Sequence, residues 1–405
     1  MKFSYPVLLD GAMGTELIKC GFKNDMAAEQ WSLENPEAVK SIQRAYVEAG
    51  SDFIYTPTFG ANRIKLEARK ITAVKEYISD LVAISRDAAG SRARIIGDIA
   101  PTGKLLYPLG DIHFDQLYDV YHEAAEAMEE ASVDMFVVET MMTVAEARAA
   151  VLAVRDVSDK PVFCTFTVEE NGRTLTGTVP SAALVIMQAL GVDAFGLNCS
   201  VGPDKMAAQI RQLSEYSSIP LIAKANAGVP KLIDGKTVYE QTPEEYVRHV
   251  HELADAGVCI FGGCCGTDAA HIRALKEALE GVKCTVPEKK DFSGFLLATE
   301  KEPFVVSRCD AENAPVIECG EDFEDDLLDL LDEEPSIIRI SISDSSSLPF
   351  FEESQVMISV PVILSCQDAD VLDRALRLYQ GLPVITGCDA ESLKALSEKY
   401  GAEIL

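Results

Sequence analysis

The stretch CIFGGCCGTD, Cys259 to Asp268, sets an apolar run against two glycines and two adjacent cysteines. Such a run, bounded by glycine, reads as a buried strand with the cysteines at its C-terminal end. Upstream the same unit recurs: a short β-branched run ending in Gly, Asn, Asp or Thr, then a longer segment with apolar residues at helical spacing. The strand cores are PVLLD (6–10), DFIYT (52–56), RIIGDIA (94–100), DMFVVET (134–140), PVFCTFTV (161–168), AFGLNCS (194–200), PLIAKANAG (220–228) and VCIFGGCCG (258–266). The helical segments include PEAVKSIQRAYVEAG, FDQLYDVYHEAAEAMEEA, VAEARAAVLAVRDV, PEEYVRHVHELADAG and AAHIRALKEALEG, several opening on proline or an acid and closing at glycine, as helix termini prefer. These eight units predict an α/β protein with a (β/α)8 TIM barrel, a fold of usually about 250 residues. An open doubly wound sheet is the alternative.

After VPEKKDFSGF the character changes, and no histidine follows His271. The expected division is a barrel over residues 1–287 and a smaller acidic α/β domain over 288–405. Formal charge is −12 for residues 1–285 and −17 for 286–405, so the smaller part is the more acidic. FVVS, SIIRISIS, VMISVPVILSC and PVITG read as strands, DADVLDRALRLYQG and AESLKALSEKYG as helices, which together make a compact α/β unit. ECGEDFEDDLLDLLDEEP reads as a solvated amphipathic helix with its leucines inward.

A net charge of −29, from 36 basic and 65 acidic residues, repels phosphate backbones and anionic bilayers, so neither nucleic acid nor a membrane is an expected partner. The opening MKFSYPVLLDG carries an acid and precedes no signal-like cleavage region, and no apolar run approaches the ~18 residues of a span, so a cytoplasmic location is expected. Eleven cysteines without a CxxC pair suit reduced thiols, a few recruited for chemistry.

In a barrel of this kind chemistry belongs at the C-terminal strand ends. There the sequence supplies Asp10, running into GAMGTEL; Glu139; Asn198 and Cys199; and Cys264 with Cys265. Three cysteines at one mouth form a soft-metal set, because thiolates bind Zn²⁺ at about 2.3 Å and three ligands leave one tetrahedral position open. Adjacent α-carbons lie about 3.8 Å apart, below the usual disulfide range of about 4.4–6.8 Å, so a Cys264–Cys265 bridge would be strained. The plainer alternative is a pair of buried thiols. Gly262, Gly263 and Gly266 would let the backbone bend around an ion. Gly11 and Gly14 would let consecutive N–H groups face a carboxylate, or would form an ordinary strand-to-helix turn. Asp10 and Glu139 would together hold an ammonium group, or serve as helix caps or solvated acids. A soft metal, an anion cradle and a cation clamp describe an amino acid bearing a thiol.

The residues carrying these readings lie within DGAMGTEL, NPEAVKSIQRAYVEAGSDFIYTPTFGANRIKL, APTGKLLYPLGD, ENGRTLTGT, GLNCSVGPDKM, NAGVPKLIDGKTVY and GGCCGTDAAHIRAL. In this order, over roughly residues 1–285, they resemble the homocysteine S-methyltransferase family, in particular the homocysteine-binding module of cobalamin-dependent methionine synthase. The resemblance implies Zn²⁺ held by Cys199, Cys264 and Cys265, with the sulfur of L-homocysteine as fourth ligand and methionine as product. It also implies Asp10 and Glu139 on the substrate amino group, the backbone of Gly11, Ala12, Met13, Gly14 and Thr15 on its carboxylate, and Asn198 supporting the zinc strand. The family divides between corrinoid-linked enzymes and those using S-methylmethionine or betaine, and TFGAN with PTGKLL resembles the former, which implies methylcobalamin or another methyl-corrinoid as donor. His113-Phe-Asp115 lacks the glycine of the family's His-x-Asp-x-x-Gly cobalamin motif and reads as a helix start, so the corrinoid is expected on a separate protein docking over the barrel mouth. PVILSCQDADVLDRALRLYQGLPVITG resembles part of a pterin-binding barrel, and 288–405 reads as a shortened relative of one, with folate binding the minor alternative. Pro57, Ala100 and Ala225 depart from the family wording, on the donor side. The rival readings are a methyltransferase with a small sulfonium donor or another thiol acceptor, and a non-catalytic zinc-binding subunit of a methyl-transfer complex.

Overall fold

The computed structural model describes residues 3–23, 25–233 and 236–405; Asp234 and Gly235 of the NAGVPKLIDGKTVY motif lie outside them. Its first sheet is built from β1 (Val7–Leu8), β2 (Phe53–Tyr55), β3 (Arg94–Ile99), β4 (Met135–Met141), β5 (Val162–Phe166), β6 (Ala194–Asn198) and β7 (Leu221–Ala225). A hairpin of β8 (Lys231–Ile233) and β9 (Lys236–Val238), not foreseen from sequence, follows β7, and β10 (Val258–Gly263) completes the sheet. The order is β1-β10-β7-β6-β5-β4-β3-β2, with every pairing parallel. The seam between β1 and β2 is closed by single groups. Asp52 donates its N–H to Leu8 O and accepts from Leu8 N on Oδ2, each at 2.8 Å, and Ser51 Oγ donates to Leu9 O at 3.1 Å. The result is the nearly closed barrel expected, not the open doubly wound sheet.

Alternate strand residues face the lumen. Val7, Leu9, Phe53, Ile96, Val137, Phe163, Ile222 and Ile260 pack it, and Phe3 plugs its lower end against Phe53 and Phe163, with ring centroids 6.0 and 5.5 Å away. One inward step further along β3, β4, β6 and β7 the sequence turns polar, at Asp98, Glu139, Asn198 and Lys224, all buried. The helices form as their patterns predict. Pro36–Ala49 starts on proline, buries Val39, Ile42, Gln43, Tyr46 and Val47, and ends at Gly50 with φ 110°, a left-handed C-terminal position that glycine adopts without a Cβ penalty. His113 is the N-cap of the helix Phe114–Glu130, the helix start read from sequence.

The second sheet is parallel and strictly sequential: β13 (Val316–Glu318), β14 (Ile338–Ser341), β15 (Val362–Ser365), β16 (Val384–Thr386) and β17 (Glu403–Ile404). Sequential parallel strands joined by right-handed crossovers carry their helices on one face. The hairpin of β11 (Phe295–Ala298) and β12 (Pro303–Val306) packs Leu297 and Val306 with Ile363 and Val384. In the acidic helix Phe323–Leu331, Leu327 is buried as expected, but Leu328 is 45% exposed, because neighbours in a helix point about 100° apart. Among the described residues no helix is long and apolar enough to cross a membrane.

The barrel helix Val144–Val157, buried along its first eleven residues, meets the second unit through Arg148. Arg148 donates to Leu376 O at 2.7 Å and Arg377 O at 3.2 Å, capping the helix Ala369–Leu378. Replacing Arg148 by Met would leave both carbonyls without these donors. Hydrogen bonds to charged groups contribute about 1.5–3 kcal/mol each, so Arg148→Met is expected to lower the thermal midpoint by several degrees. Calorimetry of the full chain checks this, and an unchanged midpoint would show that the contact contributes nothing.

Candidate active site and metal centre

β6 and β10 end beside one another's partner strand β7, and this brings three thiols together. The Sγ atoms of Cys199, Cys264 and Cys265 all lie within 4.8 Å of one another, and Cys199 and Cys265 are 3.5 Å apart. The backbone is held to present them. Cys199 adopts φ +57°, a costly conformation for a side-chain-bearing residue, and is pinned by Asn226 Nδ2 donating to its carbonyl at 2.8 Å and by its N–H donating to Lys224 O at 3.2 Å. Gly266, at φ +84°, makes the turn after Cys265 where a Cβ would collide with Tyr239, and its N–H donates to Thr15 Oγ1 at 3.3 Å.

Asn198 ties this cluster to β4. Its Oδ1 accepts from Thr140 N at 3.1 Å, and its Nδ2 donates to Thr140 Oγ1 at 2.6 Å and reaches Cys264 Sγ at 3.9 Å. Thr140, beside Glu139, also sits at φ +57°. One amide side chain therefore bridges two strained strand ends, the one carrying Glu139 and the one carrying Cys199.

The cysteines border a cavity of about 260 Å³ lined also by Asp10, Tyr55, Asp98, Glu139 and Lys224. Asp10 accepts from Tyr55 N on Oδ2 at 2.8 Å, and its Oδ1 lies 3.4 Å from Lys224 Nζ. Lys224 also stands 4.3 Å from the centroid of the Tyr55 ring. Burial, opposed by Lys224 and reinforced by Asp10, raises Glu139 to about 7. Burial and then Glu139 push Asp98 well above the usual carboxylate range, and burial raises Asp10 against the pull of Lys224. Hydrogen bonds from Cys199 and Cys264 hold the Cys265 thiol down to about 3, while Cys264, donating to Cys199 and Cys265, is pushed well above its usual value. Without a cation the trio thus favours a single thiolate.

The loop after β1 is more committed than its glycines implied. Gly11, Ala12, Met13 and Gly14 line the cavity, but Ala12 N–H donates to Thr267 Oγ1 at 3.2 Å. Thr15 turns its hydroxyl to Gly266 and is not among the lining residues. Gly11 is required by packing, since a Cβ there would come within 2.6 Å of the Tyr46 ring; Gly14 has open space and starts a helix. Glu29 and Ser32, on the helix Ala28–Glu34, roof the cavity, and Glu29 Oε1 accepts from Gly60 N at 2.5 Å.

Residues 7–279, the segment that builds this barrel and its thiol cluster, match the homocysteine S-methyltransferase family. The chain belongs to that family. It is 35% identical to the methionine synthase of Mycobacterium tuberculosis (strain ATCC 25618 / H37Rv) over 68% of its own length and 24% of that protein. With the methionine synthase of Mycobacterium leprae (strain TN) the identity is 33%, over 67% and 24%. The chain therefore spans about a quarter of the length of these curated relatives. The fold is similar to the metallated form of the Escherichia coli homocysteine methyltransferase MmuM, with TM-score 0.59, 22% identity, and coverage of 68% of this chain and 96% of that one. Its oxidized form gives TM-score 0.57, with 23% identity and coverage of 67% and 95%.

In this family member sequence reasoning missed Lys224, Asp98 and Tyr55. The signal was present in the alternation: Lys224 stands two residues after the lumen residue Ile222, Asp98 two after Ile96, and Tyr55 two after Phe53.

Proposed function

We propose that this homocysteine S-methyltransferase family member transfers a methyl group to the thiol of L-homocysteine, giving methionine, with zinc at Cys199, Cys264 and Cys265 and a methyl-corrinoid on a separate protein as donor. The observation that carries the reading is one cavity bordered by both a three-thiol cluster and the Asp10–Glu139 pair. The donor set suits the metal: thiolate ligands select soft or borderline ions over Mg²⁺ or Ca²⁺, and a divalent cation offsets the repulsion that otherwise leaves one thiolate among three. Bound there, zinc supplies the ionisation of a thiol whose ordinary pKa is about 8.5.

The chain's own residues do the rest. Asp10 and Glu139 face the substrate ammonium, the free backbone N–H groups among Gly11 to Gly14 face its carboxylate, Asn198 keeps the cysteine strand in register with β4, and the roof helix excludes water. Thr15 acts through the Gly266 turn. The cavity accommodates an amino acid but not a corrinoid macrocycle, so the donor must be presented from outside. Among the exposed large apolar residues of the barrel segment, Phe59, Leu105, Leu109, Leu175, Val229 and Leu232 lie on segments that follow strands at the C-terminal face. A rim of this kind suits a protein partner covering the mouth. The sequential β13–β17 order supports reading residues 288–405 as a shortened barrel packed beside the first.

Zinc-edge X-ray absorption with and without L-homocysteine tests the reading. A fourth sulfur on adding homocysteine is expected; a shell that ignores the thiol would favour the non-catalytic subunit, and turnover with S-methylmethionine and no corrinoid would favour a small sulfonium donor. A pH dependence also follows. An ammonium ligand needs Glu139 ionised, so affinity for L-methionine, which has no thiol to titrate, is expected to rise as pH increases through about 7. Glu139→Gln should flatten that profile in calorimetric titrations.

A further inference from the structure

We propose that Asp98 is a third carboxylate of the substrate ammonium site, so that Asp10, Asp98 and Glu139 each receive one of the three N–H donors. This rests on the homocysteine reading and deepens it. Asp10, Asp98, Glu139 and Lys224 are each 6% exposed or less and line the same cavity. Each carboxylate keeps one buried oxygen without a hydrogen-bond donor: Asp10 Oδ1, Asp98 Oδ1 and Glu139 Oε2. Buried polar atoms in native proteins are nearly all partnered, so three orphaned acceptors around one space mark a missing donor group. A protonated amine brings three N–H donors and one positive charge. Lys224 supplies one cation, 3.4 Å from Asp10 Oδ1 and attractive also to Glu139 and Asp98, so a single positive charge is shared among three carboxylates.

The position of Asp98 is not adjustable. Its N–H donates to Thr56 Oγ1 at 3.0 Å and its carbonyl accepts from Thr58 Oγ1 at 2.8 Å, while β3 pairs with β4 so that Asp98 stands opposite Val137, one inward step below Glu139. Strand register aims its carboxyl into the lumen beside Glu139. Burial and then the neighbouring Glu139 push Asp98 well above the usual carboxylate range; the positive charge of an arriving ammonium offsets the negative neighbours and pulls it back down, so the bound state favours the ionised form.

Calorimetric titration of the zinc-loaded protein with L-homocysteine and with 4-mercaptobutanoate, which lacks the amino group, tests this. Asp98→Asn is expected to weaken L-homocysteine about tenfold or more, the loss typical of a hydrogen bond to a charged group, and 4-mercaptobutanoate less than about twofold. Asp98→Ser, which keeps both backbone bonds, to Thr56 and Thr58, serves if the Asn variant does not fold; zinc content and thermal midpoint report on folding. Equal losses for the two ligands, or no loss for L-homocysteine, overturn the role of Asp98 while leaving the homocysteine reading standing. Wild-type protein that binds both ligands equally, or neither, overturns both.

Discussion

Cys199→Ser is expected to lose zinc and, with it, methyl transfer, while the barrel stays folded. A serine hydroxyl is not ionised at neutral pH and is a poor ligand for a thiophilic ion, whereas substitutions merely supporting a metal's ligands already cost about 10–100-fold in affinity. The loss at a ligand should therefore exceed about 100-fold. Folding should survive because Cys199 sits at a strand end, only part-buried, and the bonds that fix it, from Asn226 Nδ2 and to Lys224 O, are made by its backbone. Cys259→Ser is the contrasting control. Cys259 is fully buried in the lumen and outside the thiol cluster, so that variant should keep its zinc and lose stability instead. Metal analysis and turnover assays of the two proteins separate the cases; wild-type zinc and turnover in Cys199→Ser would sink the assignment.

Lys224→Met should be among the most destabilising single substitutions in the site. It removes the ammonium beside Asp10 and leaves Asp10, Asp98 and Glu139 buried without a fixed countercharge. Removing one partner of a buried ion pair costs about 3–5 kcal/mol. The sign of the pH dependence follows from which forms carry charge. At low pH the carboxyls are protonated and need no cation, so the loss is smallest there; it grows as pH rises through about 7, where Glu139 would ionise. Denaturant unfolding at pH 5.5 and pH 8 checks this. A loss equal at both values would mean that Lys224 contributes packing against Tyr55 rather than charge. Asp10→Asn added to Lys224→Met should recover part of the loss at pH 8, because one buried anion has gone with the cation.

Two features of the site explain why part of it was legible from the sequence. Cysteine pairs and strand ends are local: GGCCG and GLNCS announce thiols at the ends of apolar runs, and eight such runs with intervening helices place those ends on one barrel face. Asp10 and Glu139 were legible for the same reason. Lys224 was hidden by expectation, since a lysine inside an apolar run reads as an exposed residue of an edge strand until its strand is known to lie between two others. β7 lies between β6 and β10, so every inward side chain on it is buried. The hairpin β8–β9 did carry a local signal that sequence reasoning missed, the Asp-Gly pair between KLI and KTV, but its apolar Leu232, 78% exposed, is not driven inward by a core.

The sequence by itself determined the succession of strands and helices, the barrel they make, and the three thiols at its mouth. Periodicity and residue type are properties of short segments, and a right-handed βα repeat has few ways to close. The tertiary structure alone decided which polar atoms are free. Thr15 and the Ala12 N–H, adjacent to the cavity in sequence, are spent on Gly266 and Thr267; Lys224 stands among three carboxylates, and Asp98 joins Asp10 and Glu139. The energy of a buried charge or hydrogen-bonding atom depends on every neighbour within a few ångströms. Barrel closure draws those neighbours from strands far apart in the chain.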